Sequence, residues 1–308
     1  MKKYISLFLI FCLLLCGCGN AAVAPSETAC TFTDDLGRQV TVDSPKRVAA
    51  LLGSFAQVWQ LAGGRVIATA DDAWDDLQLE LAEDTVNLGN TKNLSLELLL
   101  GARPDFILAS TNTRQNMQWQ ETLEGTGVPV AYFDVANFDD YLHLLDICTD
   151  ITGRKDLYET HGLAVQSQID AVLERSTQRG TNPTVLSLRA SASTATVKNS
   201  RDNVLGEMLA SLGCVNIADS DDSLLENLSL EHILVSDPEF IFIVQRGDDA
   251  AGMREYVEQN LMSHPLWSQL TAVQEGKVYF MDKTLFNLKP NHRWGEAYEI
   301  LEEILENG

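Results

Sequence analysis

Residues 93–108, Asn-Leu-Ser-Leu-Glu-Leu-Leu-Leu-Gly-Ala-Arg-Pro-Asp-Phe-Ile-Leu, return 134 positions later as residues 227–242, Asn-Leu-Ser-Leu-Glu-His-Ile-Leu-Val-Ser-Asp-Pro-Glu-Phe-Ile-Phe. Nine of the sixteen aligned positions are identical. A period this long exceeds the roughly 20–50 residues of a solenoid repeat. The repeat therefore indicates two similar half-molecules, each carrying the same turn, helix and strand.

Both copies predict the same local structure. Ser95 and Ser229 are suited to cap the amino end of a short helix, because their hydroxyls can accept from free backbone N–H groups. Each helix should end before the proline, which disfavours helical backbone at the preceding residue. The apolar run after the proline fits a strand covered on both faces, as in a parallel sheet.

The amino terminus has the pattern of an export signal. Two lysines precede an uncharged apolar run through Leu15, which is shorter than the roughly 20 residues of a membrane-spanning helix. The run ends in Leu15-Cys16-Gly17-Cys18, which resembles the bacterial lipobox. We therefore expect residues 1–17 to be a signal peptide, Cys18 to be lipidated, and residues 18–31 to form a tether on the extracytoplasmic face of the membrane. An ordinary signal peptide with incidental cysteines is the alternative.

The exported body is strongly acidic. The formal charge of −22 becomes −24 when Lys2 and Lys3 leave with the signal. An acidic body is a poor candidate for binding nucleic acid, because that binding depends on protein cations. The cysteines at 30, 148 and 214 lack CxxC spacing, and we expect free thiols rather than a disulfide framework.

The order of predicted elements indicates an α/β protein with two Rossmann-like lobes joined by one long helix. Residues 32–137 form the predicted N-terminal lobe, which begins with a hairpin and a βαβ unit. Residues 138–180 are predicted to be connecting helices, and residues 181–308 a C-terminal lobe with a similar plan. Ligands of open α/β lobes bind beyond the carboxyl ends of the strands. We therefore expect a ligand cleft between the lobes.

These features together resemble a known family. They are the lipobox, the hairpin over residues 33–42, the segment Pro45-Lys46-Arg47-Val48, the repeated unit, and the long connecting helix. The combination resembles the substrate-binding lipoproteins of ABC importers for ferric siderophores, haem and cobalamin. The resemblance implies one glutamate per lobe that pairs with arginines of the permease dimer, and Glu97 and Glu231 stand at those places. Stabilisation of the helix dipole is the alternative role for both carboxylates.

Candidate ligand-binding residues lie at predicted strand ends and in the segment before the last helix. Cations beside flat aromatic rings suit a large anionic chelate. Each base could instead be a solvated surface charge, and the first tryptophan could pack in the core of its lobe. The candidates are Ser54, Trp74, Arg114, Arg189, Arg246, Phe286, Lys289, His292, Arg293 and Trp294.

The predicted ligand is a ferric siderophore or a similar anionic metal chelate, bound by a monomer without a cofactor. Haem would need an axial His, Tyr or Met, and only His292 among the histidines falls at a predicted cleft edge. Cobalamin would favour aromatic residues over charge. An enzyme is not expected, because G-x-S-x-G and H-E-x-x-H are missing. A surface sensor or adhesin on the same fold is a third hypothesis.

Replacing Cys18 tests the predicted anchor. Cys18→Ser should release the exported protein from membranes, since the thiol is the group that is lipidated. Cell fractionation measures the outcome, with Cys16→Ser as the control that should stay membrane-bound. A Cys18→Ser protein that remains in the membrane fraction would refute the anchor.

Overall fold

The computed structural model describes residues 29–201 and 203–308. The predicted signal peptide and the lipidation site Cys18 lie outside the described residues. The predicted tether is described only from Ala29, where a strand already begins. The first three residues of this strand therefore fall within the range predicted for the tether.

A hairpin opens the body, as the sequence predicts. Strand β1 (Ala29–Thr33) pairs with β2 (Gln39–Asp43) in antiparallel register. The buried carboxylate of Asp34 accepts hydrogen bonds from the backbone N–H groups of Arg38, at 2.9 Å, and Tyr132, at 3.2 Å. These bonds close the turn and fix the hairpin to the N-terminal lobe.

The N-terminal lobe is built on a parallel sheet of five strands in the order β5-β4-β3-β6-β7. The strands are β3 (Val48–Ala50), β4 (Val66–Thr69), β5 (Val86–Asn87), β6 (Phe106–Ser110) and β7 (Val130–Phe133). The helices are α1 (Gly53–Leu61), α2 (Asp72–Asp75), α3 (Leu96–Gly101), α4 (Arg114–Gln118) and α5 (Gln120–Glu124).

Helices connect the lobes over the predicted range. Helix α6 (Phe138–Thr152) starts at a capping box formed by Asn137 and Asp140. A second, longer helix follows without a break in its helical backbone. Its parts are α7 (Lys155–Tyr158), a π-helical turn (Glu159–Leu163) and α8 (Ala164–Arg179).

The C-terminal lobe has its own parallel sheet in the order β10-β8-β11-β12, with β9 antiparallel to β8. The strands are β8 (Thr184–Ala190), β9 (Ala195–Lys198), β10 (Val215–Asn216), β11 (Phe240–Gln245) and β12 (Val278–Met281). The α-helices are α9 (Val204–Ser211), α10 (Asp222–Glu226), α11 (Leu230–Ser236), α12 (Ala250–Val257), α13 (Thr271–Gln274), α14 (Lys283–Phe286) and α15 (Trp294–Asn307). Shorter turns are Ile217–Asp219, Glu258–Met262, Trp267–Gln269 and Asn291–Arg293.

The sequence repeat is a structural repeat. Its two helices are α3 and α11, whose first turns are capped by the hydroxyls of Ser95 and Ser229. Its two strands are β6 and β11, and each lies inside its sheet with a parallel partner on both sides. The residue before the repeated proline has a positive φ in both copies, 51° at Arg103 and 38° at Asp237. The two halves therefore share backbone conformation as well as sequence.

Each sheet is covered on both faces, as the apolar strands predict. Alternate residues of a strand enter different clusters; Phe106 and Leu108 of β6 face one cluster, whereas Ile107 faces another. The first cluster extends through both lobes and the connecting helices. Packing therefore joins the lobes into one body. In residues 29–201 and 203–308, no helix is both long and apolar enough to cross a bilayer.

Two ion pairs between α8 and α15 provide a matched test of how this core is held. Arg179 pairs with Glu302, whose side chain is 1% exposed, and Arg175 pairs with Glu299, whose side chain is 52% exposed. Glu302→Ala should cost about 3–5 kcal/mol of unfolding free energy, because it leaves a buried guanidinium unpaired. Glu299→Ala should cost less than about 1 kcal/mol. Denaturant unfolding measures both, and equal costs would contradict the prediction.

Candidate ligand-binding cleft

A cleft lies between the two lobes. It holds two adjoining cavities of about 420 and 400 Å³, which share Asn112, Arg189 and Asn287. Both volumes fall in the roughly 300–1,000 Å³ range of small-molecule sites. Asn112 follows the carboxyl end of β6, and Arg189 lies near the carboxyl end of β8. The cleft therefore occupies the predicted position between the lobes.

The N-terminal lobe lines this cleft mainly with carboxylates. Four of them come from α2 and its immediate flanks, and a fifth directly follows β7. Lys92 is the one cation that the described part of this lobe adds to either cavity. The carboxylates are those of Asp71, Asp72, Asp75, Asp76 and Asp134.

The C-terminal lobe lines the cleft mainly with bases. Asp248 is the one acid on this wall among the described residues. The bases are Arg189, Lys198, Arg246, Lys283 and Lys289. Opposite charges therefore face each other across the cleft. We call these surfaces the acidic wall and the basic wall.

Two guanidinium groups of the basic wall come from neighbouring strands. Arg189 belongs to β8, and Arg246 directly follows β11, which pairs with β8. The backbone N–H of Arg246 donates to the carbonyl of Ala190, at 2.6 Å, and so extends this pairing by one residue. The Nε of Arg189 is buried without a hydrogen-bond acceptor. Burial and the nearby charge of Arg246 lower the pKa of Arg189. Neither guanidinium forms an ion pair within the described residues, so both present free donors to an anion.

Other polar groups of the basic wall also lack partners. Ser187 precedes Arg189 by two residues on β8, so both side chains lie on the same face of the sheet. Its hydroxyl is buried without a hydrogen-bond partner, although the residue lines the larger cavity. Lys289 lines the same cavity, and burial lowers the pKa of its ammonium group. A bound ligand would satisfy such groups, because buried polar groups are normally hydrogen-bonded.

An ion pair joins the two walls directly. The ammonium group of Lys283 lies 2.6 Å from a carboxylate oxygen of Asp76 and 2.8 Å from one of Asp248. The side chains of Lys283 and Asp76 are only 13% and 16% exposed. The contact is therefore partly shielded from solvent and fixes the distance between the lobes at one side of the cleft.

A second contact between the lobes is neutral. Asn291 is buried and has a positive φ of 54°. Its side-chain amide donates to the backbone carbonyl of Ser54, at 2.9 Å, and to the side-chain oxygen of Gln57, at 2.7 Å. The amino end of α1 is thus tied to the segment before α15.

Asp72 is the most deeply placed member of the acidic wall. It accepts a hydrogen bond of 2.9 Å from the backbone N–H of Gly53 at the start of α1. Burial raises the pKa of Asp72 to about 6, and the neighbouring carboxylates of Asp76 and Asp71 also raise it. The acidic wall therefore changes its charge near neutral pH.

Several predicted ligand residues lie away from these two cavities. Trp294 is fully buried and packs edge-on against Phe138, so its prediction as a cleft residue is wrong. Ser54 is buried in α1, where its carbonyl serves the contact with Asn291. Arg114 is exposed at the start of α4, and Trp74 is part-buried on α2; neither lines a cavity of the cleft.

The side chains of the segment before α15 line different cavities. Phe286 and Lys289 line the larger cavity of the cleft. His292 and Arg293 instead line a third cavity of about 400 Å³, which shares Asp76 with one cavity of the cleft and Lys289 with the other. Arg293 is paired with Glu296 at 2.7 Å, and the ring of His292 meets that of His161. Of the ten predicted side chains, the structure brings Arg189, Arg246, Phe286 and Lys289 to the two cavities of the cleft.

Sequence reasoning missed most of the acidic wall. Asp71 and Asp134 follow strands in the same way as Arg246 does. Position at a strand end therefore applies to them as well, but the contacts predicted for an anionic chelate are cations and aromatic rings. Lys283 also lies just beyond a strand, β12, but its pairing with Asp76, 207 residues away in the chain, cannot be read from the sequence.

Comparison with known proteins identifies the fold and family. A profile described as periplasmic binding protein matches residues 48–285. The Fe(3+)-citrate-binding protein YfmC of Bacillus subtilis is 24% identical over 292 residues, covering 90% of this chain and 88% of the relative.

Two solved structures share the fold. Staphylococcus aureus SirA complexed with staphyloferrin B has a TM-score of 0.70 at 18% identity, covering 90% of this chain and 98% of the other. The periplasmic heme-binding protein RhuT from Roseiflexus sp. RS-1 has a TM-score of 0.69 at 19% identity, covering 85% and 98%. The two-lobed α/β architecture is therefore that of known binding proteins.

The raised pKa of Asp72 can be tested by titrating its carboxyl group. Its ¹³C carboxyl resonance should titrate near pH 6, whereas an ordinary aspartate titrates near pH 3.9. Because the folded state keeps this proton to higher pH, the contribution of Asp72 to stability should fall as pH rises from about 4 to 6. Asp72→Asn should abolish this decrease of the unfolding free energy between about pH 4 and pH 6. An ordinary titration midpoint for Asp72 would contradict the assignment.

Proposed function

We propose that this chain, which belongs to the periplasmic binding protein family, captures a ferric siderophore or a similar anionic metal chelate and delivers it to an ABC permease. The family consists of substrate-binding proteins of transporters rather than enzymes. The observation that carries the ligand class is the pair of unpaired guanidinium groups of Arg189 and Arg246 at the cleft. Carboxylate, catecholate or hydroxamate oxygens of an iron chelate are acceptors that such donors bind strongly.

The relatives agree with this ligand class. One is named for binding ferric citrate, and a structure of the same fold holds staphyloferrin B. Both names concern those proteins, and at this identity they support the class rather than a particular compound. Which class of metal chelate this chain binds is therefore inferred from the residues of its own cleft.

Haem and cobalamin fit this cleft less well. Haem iron needs an axial ligand such as His, Tyr, Met or Cys. No such residue occurs among the described residues that line the two cavities of the cleft. Phe286 is the one aromatic residue among them, and charged residues dominate both walls. A charged metal chelate is therefore preferred to a large flat macrocycle.

We propose that Glu97 and Glu231 dock the chain onto the permease. Both carboxylates are exposed on equivalent helices, one in each lobe. Exposed apolar side chains lie beside them, Leu98 and Leu100 on α3 and Val235 on α11. A paired acidic contact at a fixed separation suits a pseudo-symmetric partner carrying arginines. Single surface ion pairs contribute only about 0–1 kcal/mol, but they orient docking and raise its rate.

We propose further that a lipid on Cys18 holds this monomer at the extracytoplasmic face of the membrane. The support is the lipobox-like end of the signal sequence. A tether of about ten residues precedes β1 and would let the body reach the permease.

Ligand binding is tested with a thermal-shift panel of ferric hydroxamate, catecholate and α-hydroxycarboxylate chelates, haem and cobalamin. A ligand at 100 times its Kd should add about 2.7 kcal/mol of stability. Arg189→Gln and Arg246→Gln should each weaken a bound chelate about tenfold or more, the value of a charge-assisted hydrogen bond. Arg254→Gln removes the same charge from α12 and should leave affinity unchanged. Parental affinity in both cleft variants would overturn the site, and stabilisation by haem alone would overturn the ligand class.

Docking is tested by removing both glutamates. The double variant Glu97→Ala, Glu231→Ala should keep its ligand affinity and lose stimulation of the permease ATPase. Glu121→Ala with Glu258→Ala removes two exposed charges from the same lobes and should preserve stimulation. If the carboxylates serve only the helix dipole, the double variant will be slightly less stable and will stimulate normally.

A further inference from the structure

Three neighbouring carboxylates of the acidic wall take no part in an ion pair with any described residue. Asp76 is paired with Lys283, but Asp71, Asp72 and Asp75 form no ion pair within the described residues. Asp71 and Asp72 have raised pKa values, chiefly from burial and with contributions from neighbouring carboxylates. Three carboxylates therefore line one side of a cavity without forming an ion pair in the described part of the chain, although Lys92 lines the same cavity and the charge of Lys289 acts on Asp72.

The unpaired groups on the opposite wall have the opposite character. Arg189 and Arg246 offer hydrogen-bond donors, and the buried hydroxyl of Ser187 lies unpartnered in the adjoining cavity. Ser187 is 1% exposed, so solvent does not replace its missing partner. The two sets of free groups border cavities that meet at Asn112 and Asn287. One ligand can therefore contact both walls.

An entirely anionic chelate would satisfy only one of these walls. Its oxygens would bind the guanidinium groups, but its far side would face the carboxylates of Asp71, Asp72 and Asp75. Like charges brought together in a partly desolvated site repel strongly, and this repulsion selects against the wrong ligand. A positive group on that far side reverses the sign of the interaction.

We propose that the chelate taken by this cleft is bipolar: its metal-binding oxygens face Arg189 and Arg246, and an ammonium group on the same molecule faces Asp71, Asp72 and Asp75. The proposal rests on the proposed function, since it concerns the charge distribution of the iron chelate. It assigns the acidic wall a role in specificity, because an ammonium group offers up to three donors to these carboxylates. The aspartates are thus expected to distinguish amine-bearing chelates from their neutral or anionic counterparts.

The test compares matched pairs of ferric chelates that differ only in a free or N-acetylated amine. One pair represents each coordination chemistry: hydroxamate, catecholate and α-hydroxycarboxylate. For at least one pair, isothermal titration calorimetry should show the free amine binding about tenfold more tightly, the value of one charge-assisted contact. Acetylation removes the positive charge while leaving the iron-binding oxygens unchanged.

Variants of the acidic wall connect that preference to these residues. The double variant Asp71→Asn, Asp75→Asn should reduce the preference to less than about threefold, while binding of the acetylated chelate stays the same or improves. Glu83→Gln removes an exposed charge elsewhere in the same lobe and should keep the full preference. Thermal unfolding verifies that each variant is folded, and Asp75→Asn alone serves if the double variant is not.

The outcomes separate this inference from the proposed function. If ferric chelates bind, but each N-acetylated chelate binds as tightly as the matching chelate with a free amine, the bipolar assignment is wrong and the iron-chelate function stands. The assignment is also wrong if the preference survives in the folded wall variants. If no ferric chelate of any chemistry binds the parent protein, the proposed function fails and the inference fails with it.

Discussion

The opposition of charge across the cleft is the interaction on which the functional account depends. Five carboxylates on one lobe face five bases on the other, and the ion pair of Lys283 with Asp76 joins the two walls at one side. The lobes attract each other across a space that their own side chains do not fill. Guanidinium donors on one wall and carboxylate acceptors on the other therefore remain available to a third molecule. A ligand of complementary charge gains from both sides at once.

The surrounding structure limits how far the two walls can move. The connecting helices and a shared apolar cluster join the lobes, and the amide of Asn291 ties the C-terminal lobe to α1. Packed interiors resist deformation, so small shifts at these contacts are favoured over wide opening. The size of the cleft and the charges of its walls are the features that would select a ligand.

Much of this architecture could be predicted from the chain alone, because the repeated unit carries it twice. The caps at Ser95 and Ser229 and the apolar strands after each proline specify local structure through short-range physics. The same reasoning located Arg189 and Arg246, since strand ends in parallel sheets converge on one edge. It failed at Trp294, where an aromatic residue beside three bases belongs to the core rather than to the cleft. Side-chain direction at the start of a helix depends on packing partners that are distant in sequence.

The acidic wall was missed for a different reason. Asp71 and Asp134 lie just beyond strand ends, but cations and aromatic rings are the contacts that an anionic chelate predicts. Only the folded structure shows that α2 places its carboxylates opposite β8 and β11. Contacts such as Lys283 with Asp76 join residues 207 positions apart and need the fold to be seen.

The central claim is that an iron chelate is held between these two walls. A crystal structure of the protein with a bound ferric chelate, with anomalous scattering measured at the iron edge, tests it most directly. The account predicts one iron peak between the lobes, with chelate oxygens on Arg189 and Arg246 and the remainder of the molecule against the acidic wall. An iron peak on the outer face of either lobe, or a chelate that touches neither arginine, would contradict it.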